Sequence, residues 1–173
     1  MSIDTEQSHI IYIGVGSNID KEKHTKAGLQ EMYQVFGELT LSTVFESESV
    51  GFEGNNFYNL VIKASTSLSI TQVCVVLKKI EQNNKRQRIE KKFAPRTLDL
   101  DLLLYDRLVT TQPIALPRPE VLYNAFVLKP LAEIAPDEIH PVAKQSYANL
   151  WQEYDKSLQK LWVIKFEWKP SGI

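Results

Sequence analysis

The sequence predicts an α+β fold of the ferredoxin-like kind, a β-α-β-β-α-β sandwich with an antiparallel sheet and added C-terminal elements. Three observations predict it. Apolar runs rich in branched residues alternate with two amphipathic stretches in the order strand, helix, strand, strand, helix, strand. Glycine and proline fall at the joins. No repeat, low-complexity tract or linker divides the 173 residues, a length that suits one domain.

Taken in order, Ile10–Gly16 reads as a buried strand leaving through Gly14-Val15-Gly16-Ser17-Asn18. Lys21–Phe36 follows as a helix, with Asp20 as its N-cap, Leu29, Met32 and Phe36 on one face, and Gly37 at the left-handed C-terminal position. Leu39–Ser49 is β-like, and a glycine-bearing loop over 51–56 leads into the strand Phe57–Thr66. Thr71–Asn83 is a helix whose inner stripe is Ile70, Val73, Leu77 and Ile80. After a basic loop, Lys85–Pro95, comes the strand Thr97–Tyr105. Pro113, Pro117, Pro119, Pro130, Pro136 and Pro141 break the next stretch into short helices and turns. Gln145–Leu158 reads as helix and Leu161–Trp168 as a closing strand.

Composition narrows the function. At 43% hydrophobic and 24% charged, the chain can bury a real core. A net charge of −1 excludes a globally basic nucleic-acid binder. Three His and one Cys leave little scope for zinc and none for a disulfide framework. Cys74, inside an apolar helical pattern, reads as a small buried hydrophobe. The first residues lack a secretory pattern and the first apolar run is too short to span a bilayer, so a cytoplasmic monomer without membrane or nucleic-acid partners is expected.

Charge is nonetheless uneven. Lys78–Arg96 holds eight basic residues and two acidic ones, net +6, which leaves the remainder at −7. Such asymmetry points to an anion bound locally. The +6 segment runs straight into Arg96-Thr97-Leu98-Asp99-Leu100-Asp101-Leu102. Strand alternation puts the leucines on one face and Asp99 and Asp101 on the other, with Cα atoms about 6.6 Å apart. Two carboxylates so placed repel unless a cation joins them, and Mg²⁺ binds one or two carboxylates while keeping sites for water and phosphate oxygens. Basic side chains opposite paired Asp make the layout of phosphoryl transfer. Arg86, Arg88 and Arg96 suit it better than the lysines, because a guanidinium grips phosphate oxygens two at a time. Gly14-x-Gly16 lacks the third glycine of a dinucleotide fingerprint and reads as a tight strand exit. An RNA-binding module shares the element order, but no segment carries its aromatic signature and the acidic pair would repel a phosphate backbone.

The run Phe93-Ala94-Pro95-Arg96-Thr97-Leu98-Asp99-Leu100-Asp101-Leu102-Leu103-Leu104-Tyr105 resembles the signature of the 6-hydroxymethyl-7,8-dihydropterin pyrophosphokinases. Gly14-Val15-Gly16-Ser17-Asn18 is similar to that family's opening motif, and 126–136 (FVLKPLAEIAP) to its closing one. The likeness covers about 10–141, leaving 142–173 as a C-terminal extension of a single domain. It implies transfer of pyrophosphate from ATP to the pterin hydroxymethyl group with release of AMP, in folate biosynthesis. It further implies two Mg²⁺ ions held by Asp99 and Asp101, and ATP contacts from Glu81, Arg86, Arg88, Arg96 and Arg118, with Arg86 and Arg96 catalytic. Ser47, Phe57, Asn59, Phe93 and Phe126 would hold the pterin, the amide of Asn59 reading its edge and the rings of Phe57 and Phe126 covering its faces. Departures fall mainly on the nucleotide side. Phe93-Ala94 stands for a usual Trp-Gly, Arg118 for a His between prolines, Asn124 for an Arg, and Lys78 for a Gln. A degenerate relative that binds a pterin or another nucleotide without turnover is the alternative reading.

Overall fold

The computed structural model describes residues 7–48, 56–84 and 97–171. Along them run β1 (His9–Ser17), α1 (Lys21–Phe36), β2 (Thr40–Leu41), β3 (Phe45–Ser47), β4 (Phe57–Thr66), α2 (Ile70–Asn83), β5 (Asp99–Tyr105), a 3-10 turn (Pro119–Leu122), α3 (Ala125–Ile134), α4 (Tyr147–Glu153) and β6 (Leu161–Val163). The described strands form one antiparallel sheet in the order β5-β1-β4-β3-β6, with β2 also on β4. β2 and β3 together take the place of one strand, so the expected order of elements is present.

Each face of the sheet has its own core. Ile11, Ile13, Val15, Leu60, Ile62, Leu100 and Leu102 face α1 and α2, meeting Leu29, Met32, Val73, Leu77 and Ile80. Tyr12, Val61, Leu103 and Leu104 face the other way, against Leu128, Leu131 and Tyr147. The helices expected on one face are thus joined by a second helical layer on the other. β5 serves both layers through a bulge. Tyr12 pairs with Leu104 and Ile13 with Leu102, so Leu103 is the extra residue, and it turns into the second core beside Leu104. On the first face α1 comes close to β5: a Cβ on Gly28 would lie 2.8 Å from Leu98 Cδ2. Glycine there lets the helix seat against the residue preceding Asp99.

Several expectations at the element ends are corrected. Asp20 precedes α1 but takes a left-handed conformation, φ 43°, and makes no side-chain cap; its carbonyl accepts from the His24 N–H. Gly37 has φ 81°, yet its ψ of −145° lies outside the left-handed helical region. The β-like stretch 39–49 breaks at 42–44, where the Ser42 hydroxyl accepts from the Val61 N–H and stands in for a ladder partner. α2 starts one residue early, because Ser69 and Gln72 form a reciprocal capping box.

Pro130 does not break the chain but sits inside α3, buried in the second layer. The helix expected over 145–158 ends at Glu153, where Tyr154 turns extended. The closing strand stops at Val163, after which Ile164, Phe166 and Trp168 lie across the first core. Trp168 meets Tyr33 edge-on, and Phe166 meets Tyr58 likewise. Among the described residues no helix is long and apolar enough to cross a membrane.

His140 is buried, and its Nδ1 accepts from the N–H groups of Val142 and Ala143. Burial holds its pKa below the ordinary imidazole value. The unfolded chain therefore takes up a proton first as pH falls. This contribution to stability is complete above the ordinary His value, about 6.5, and is lost below it. The urea midpoint is expected to drop between pH 7 and 5.5, and the His140 share of that slope to vanish in His140→Asn, measured by equilibrium unfolding at several pH values.

Candidate active site

The acidic pair, the two glycines and the amide predicted to read a flat ring lie in adjoining rows of the sheet. Gly16 pairs with Asp99 on one side and Asn59 on the other; Gly14 pairs with Asp101 and Val61. These positions share the face turned toward α3, away from the leucines Leu98, Leu100 and Leu102. In β3, Phe45 and Ser47 share that face as well, and Asn59 Nδ2 donates to Ser47 Oγ at 3.1 Å. Glycine between Asp99 and Asn59 keeps the floor bare. A Cβ on Gly16 would stand 3.3 Å from Asn59 Oδ1, closer than the amide tolerates without shifting.

At the outer edge of β5, Glu81 reaches across from α2 and accepts from the Leu100 N–H at 2.7 Å. The amide it takes lies between the two aspartates, so this carboxylate anchors the strand that carries them. Opposite, Arg118 Nη2 donates to Asp101 Oδ1 at 2.9 Å, and its Nε lies 3.7 Å from Glu120 Oε1. The Arg118 N–H donates to the Leu103 carbonyl, which ties its backbone to β5.

Beside this edge opens a cavity of about 400 Å³ lined by Thr71, Cys74, Val75, Lys78, Pro113 and Ile114. Cys74 is half-buried in its wall, where the sequence suggested a buried position. Burial pushes its thiol up, and the Arg118 charge pulls it down by less, so Arg118 stands within electrostatic reach of the cavity.

Phe57 and Phe126 are half-buried and belong to neither core. Asn124 has a role the sequence reading missed. It caps α3, its side chain accepting from the Phe126 N–H, and so fixes the turn that presents Phe126. The Asn-x-Phe spacing was the available signal. Two residues of the closing motif are also explained by packing. Glu133 accepts three hydrogen bonds from Thr43, and the Lys129 ammonium lies over the rings of Phe45 and Trp151. Arg86, Arg88, Phe93 and Arg96 lie outside the described residues.

Among the described residues no cluster of three or more metal-ligating side chains occurs. The donor set is a pair of carboxylates, which suits a hard cation that completes its shell with water and phosphate oxygens and does not suit a closed structural site. A guanidinium already stands at one of the two carboxylates as a stand-in cation.

An antiparallel α+β sandwich with a carboxylate pair on its edge strand, a guanidinium beside it and glycines on the next strand defines an enzyme of the phosphoryl-transfer class. The chain belongs to the 7,8-dihydro-6-hydroxymethylpterin-pyrophosphokinase family, whose sequence profile matches residues 12–136. It is 34% identical over 139 residues to the 2-amino-4-hydroxy-6-hydroxymethyldihydropteridine pyrophosphokinase of Aquifex aeolicus, covering 78% of this chain and 86% of that protein. The Synechocystis protein of the same name is 35% identical, with 87% and 78% covered. The folic acid synthesis protein fol1 of Pneumocystis carinii is 35% identical over 99% of this chain, which spans only 23% of that longer protein. Among solved structures, a Plasmodium falciparum HPPK-DHPS mutant superposes with a TM-score of 0.70 at 12% identity, over 87% of this chain and 44% of that one. At that identity the likeness speaks for the fold.

Gly16→Ala separates the floor from the scaffold. Its φ is not in the region reserved for glycine, so the backbone gain of alanine, about 0.5–1 kcal/mol, should offset the shift forced on Asn59 and leave stability within about 1 kcal/mol of the parent. The crowded Asn59 amide should weaken pterin affinity by about 1 kcal/mol. Calorimetric titration with the pterin and thermal unfolding of the same variant check the two halves.

Proposed function

We propose that the protein transfers pyrophosphate from ATP to the hydroxymethyl group of 6-hydroxymethyl-7,8-dihydropterin, releasing AMP, as a step of folate biosynthesis. The observation that carries this reading is the pair of neighbouring rows Asp99–Gly16–Asn59 and Asp101–Gly14–Val61, which set two carboxylates and an amide on one face of the sheet. For AMP to leave, the pterin hydroxyl oxygen must attack the β-phosphorus, forming one O–P bond as the bond to the α,β-bridging oxygen breaks. The hydroxyl proton departs, and the leaving oxygen carries the new charge away on AMP.

The residues divide this work. Asn59, held by Ser47, presents its amide to the donor and acceptor edge of the pterin, and Phe57 and Phe126 cover the ring faces. The apolar cavity beside α2 takes the purine, with Lys78 at its wall, and Arg118, within electrostatic reach of it, meets the phosphates. Asp99 and Asp101 would hold two Mg²⁺ ions, which when bound neutralise the phosphate oxygens and polarise the β-phosphorus. Glu81 keeps β5 in place beneath them. Arg86, Arg88, Arg96 and Phe93 complete the phosphate and pterin contacts by family resemblance. Dependence on ATP accords with a cytoplasmic location.

The test is AMP formation from ATP and the pterin alcohol, with and without Mg²⁺. Metal-dependent AMP release is expected; pterin binding without it would select the degenerate relative. Asp99→Ala and Asp101→Ala should each lower turnover by at least about a thousandfold, because the phosphate charge loses its counter-ions. Activity within a few-fold of the parent in either variant would remove the metal assignment.

A further inference from the structure

We propose that Arg118 is an exchangeable counter-cation of the acidic pair: it occupies Asp101 until metal and nucleotide arrive together, then passes to the nucleotide phosphates, and so couples the uptake of the two. This rests on the reading of Asp99 and Asp101 as metal ligands. The carrying observation is the contact itself, Arg118 Nη2 to Asp101 Oδ1 at 2.9 Å, with Glu120 Oε1 3.7 Å from Nε.

The backbone is built to hold still while the side chain moves. Arg118 stands between Pro117 and Pro119, and the following proline confines it to the extended region, where it lies at φ −62° and ψ 133°. Its N–H is bound to the Leu103 carbonyl at 2.9 Å. Its side chain is 26% exposed and that of Asp101 47%, so water reaches the pair and exchange leaves no carboxylate stranded in a dry interior. The Arg118 charge also lowers the thiol of Cys74, in the wall of the neighbouring cavity, so the guanidinium paired with Asp101 stands within electrostatic reach of the proposed nucleotide site.

The energetics give the direction. A divalent ion arriving alone must displace a cation from Asp101 and then sit beside it, so the pair opposes metal without nucleotide. Nucleotide arriving with the metal brings several negative charges, which offer the guanidinium a two-point partner better than one carboxylate oxygen. Each ligand then favours the other, and by linkage the coupling is equal in both directions. The partly exposed pair sets a modest scale, about three- to tenfold in affinity.

The experiment titrates Mn²⁺ alone into the protein, followed by its paramagnetic signal, and repeats it at saturating α,β-methylene-ATP. The chains compared are the parent, Arg118→Ala, Arg118→Lys, Asp99→Asn and Asp101→Asn. Alanine keeps the N–H bond to Leu103, and thermal unfolding confirms that each variant is folded. Arg118→Ala should bind Mn²⁺ alone about three- to tenfold tighter than the parent, yet gain less from nucleotide. Arg118→Lys keeps a cation at the carboxylate and should stay near the parent without nucleotide. Unchanged or weaker Mn²⁺ binding by Arg118→Ala, with binding lost in Asp101→Asn, overturns the exchange and leaves the metal assignment standing. Parent-like Mn²⁺ binding by both Asp99→Asn and Asp101→Asn overturns both.

Discussion

The antiparallel pairing of β1 with β4 and β5 is the constraint on which the rest of the molecule depends. Register in a sheet is quantised, because a slip of one residue turns every side chain to the opposite face. With Gly16 between Asp99 and Asn59, and Gly14 between Asp101 and Val61, the two halves of the site stand a strand's width apart. The same register sends Ile11, Ile13 and Val15 into the first core. A slip that exposed the aspartates differently would also bury them under α1 and α2. Core packing thereby holds the chemistry in place at no separate cost.

Two devices let a single short strand meet that constraint. The Leu103 bulge gives β5 strict alternation where the carboxylates stand and two consecutive apolar residues where the second core needs them. Glu81 takes the outward-pointing Leu100 amide, which as an edge-strand donor would otherwise be open to water or to another strand. Among the described residues the edge is thus met at Leu100 by a side chain and not by a further strand. Asn124 works in the same way on α3, where a cap hydrogen bond aims Phe126.

Arg118 joins the two sides of the site electrostatically. The acidic pair would be costly without a cation, and one charge that answers it comes from a segment whose backbone two prolines and a hydrogen bond to β5 restrain.

Much of this was legible in the residues. Alternation in Leu98–Leu102 assigned the two faces of β5, because the period of a strand is local and steric. The 3.6-residue stripes located α1 and α2 to within a residue, and the motifs carried the family. What misled was context. Asp20 has the right chemistry for a cap but a left-handed backbone, and the Gln145–Leu158 periodicity outran the helix. Pro130 lies inside α3, in a buried layer whose packing outweighs its helix-breaking tendency. Sequence alone determined the order of elements, the carboxylate pair and the family, since each follows from spacing along one strand or motif. Only the tertiary structure decided that Arg118 reaches Asp101, that Glu81 holds β5, and that the tail from Ile164 to Trp168 lies on the first core. Those contacts join residues 17, 19 and more than a hundred positions apart, and no local propensity encodes a distance that only folding closes.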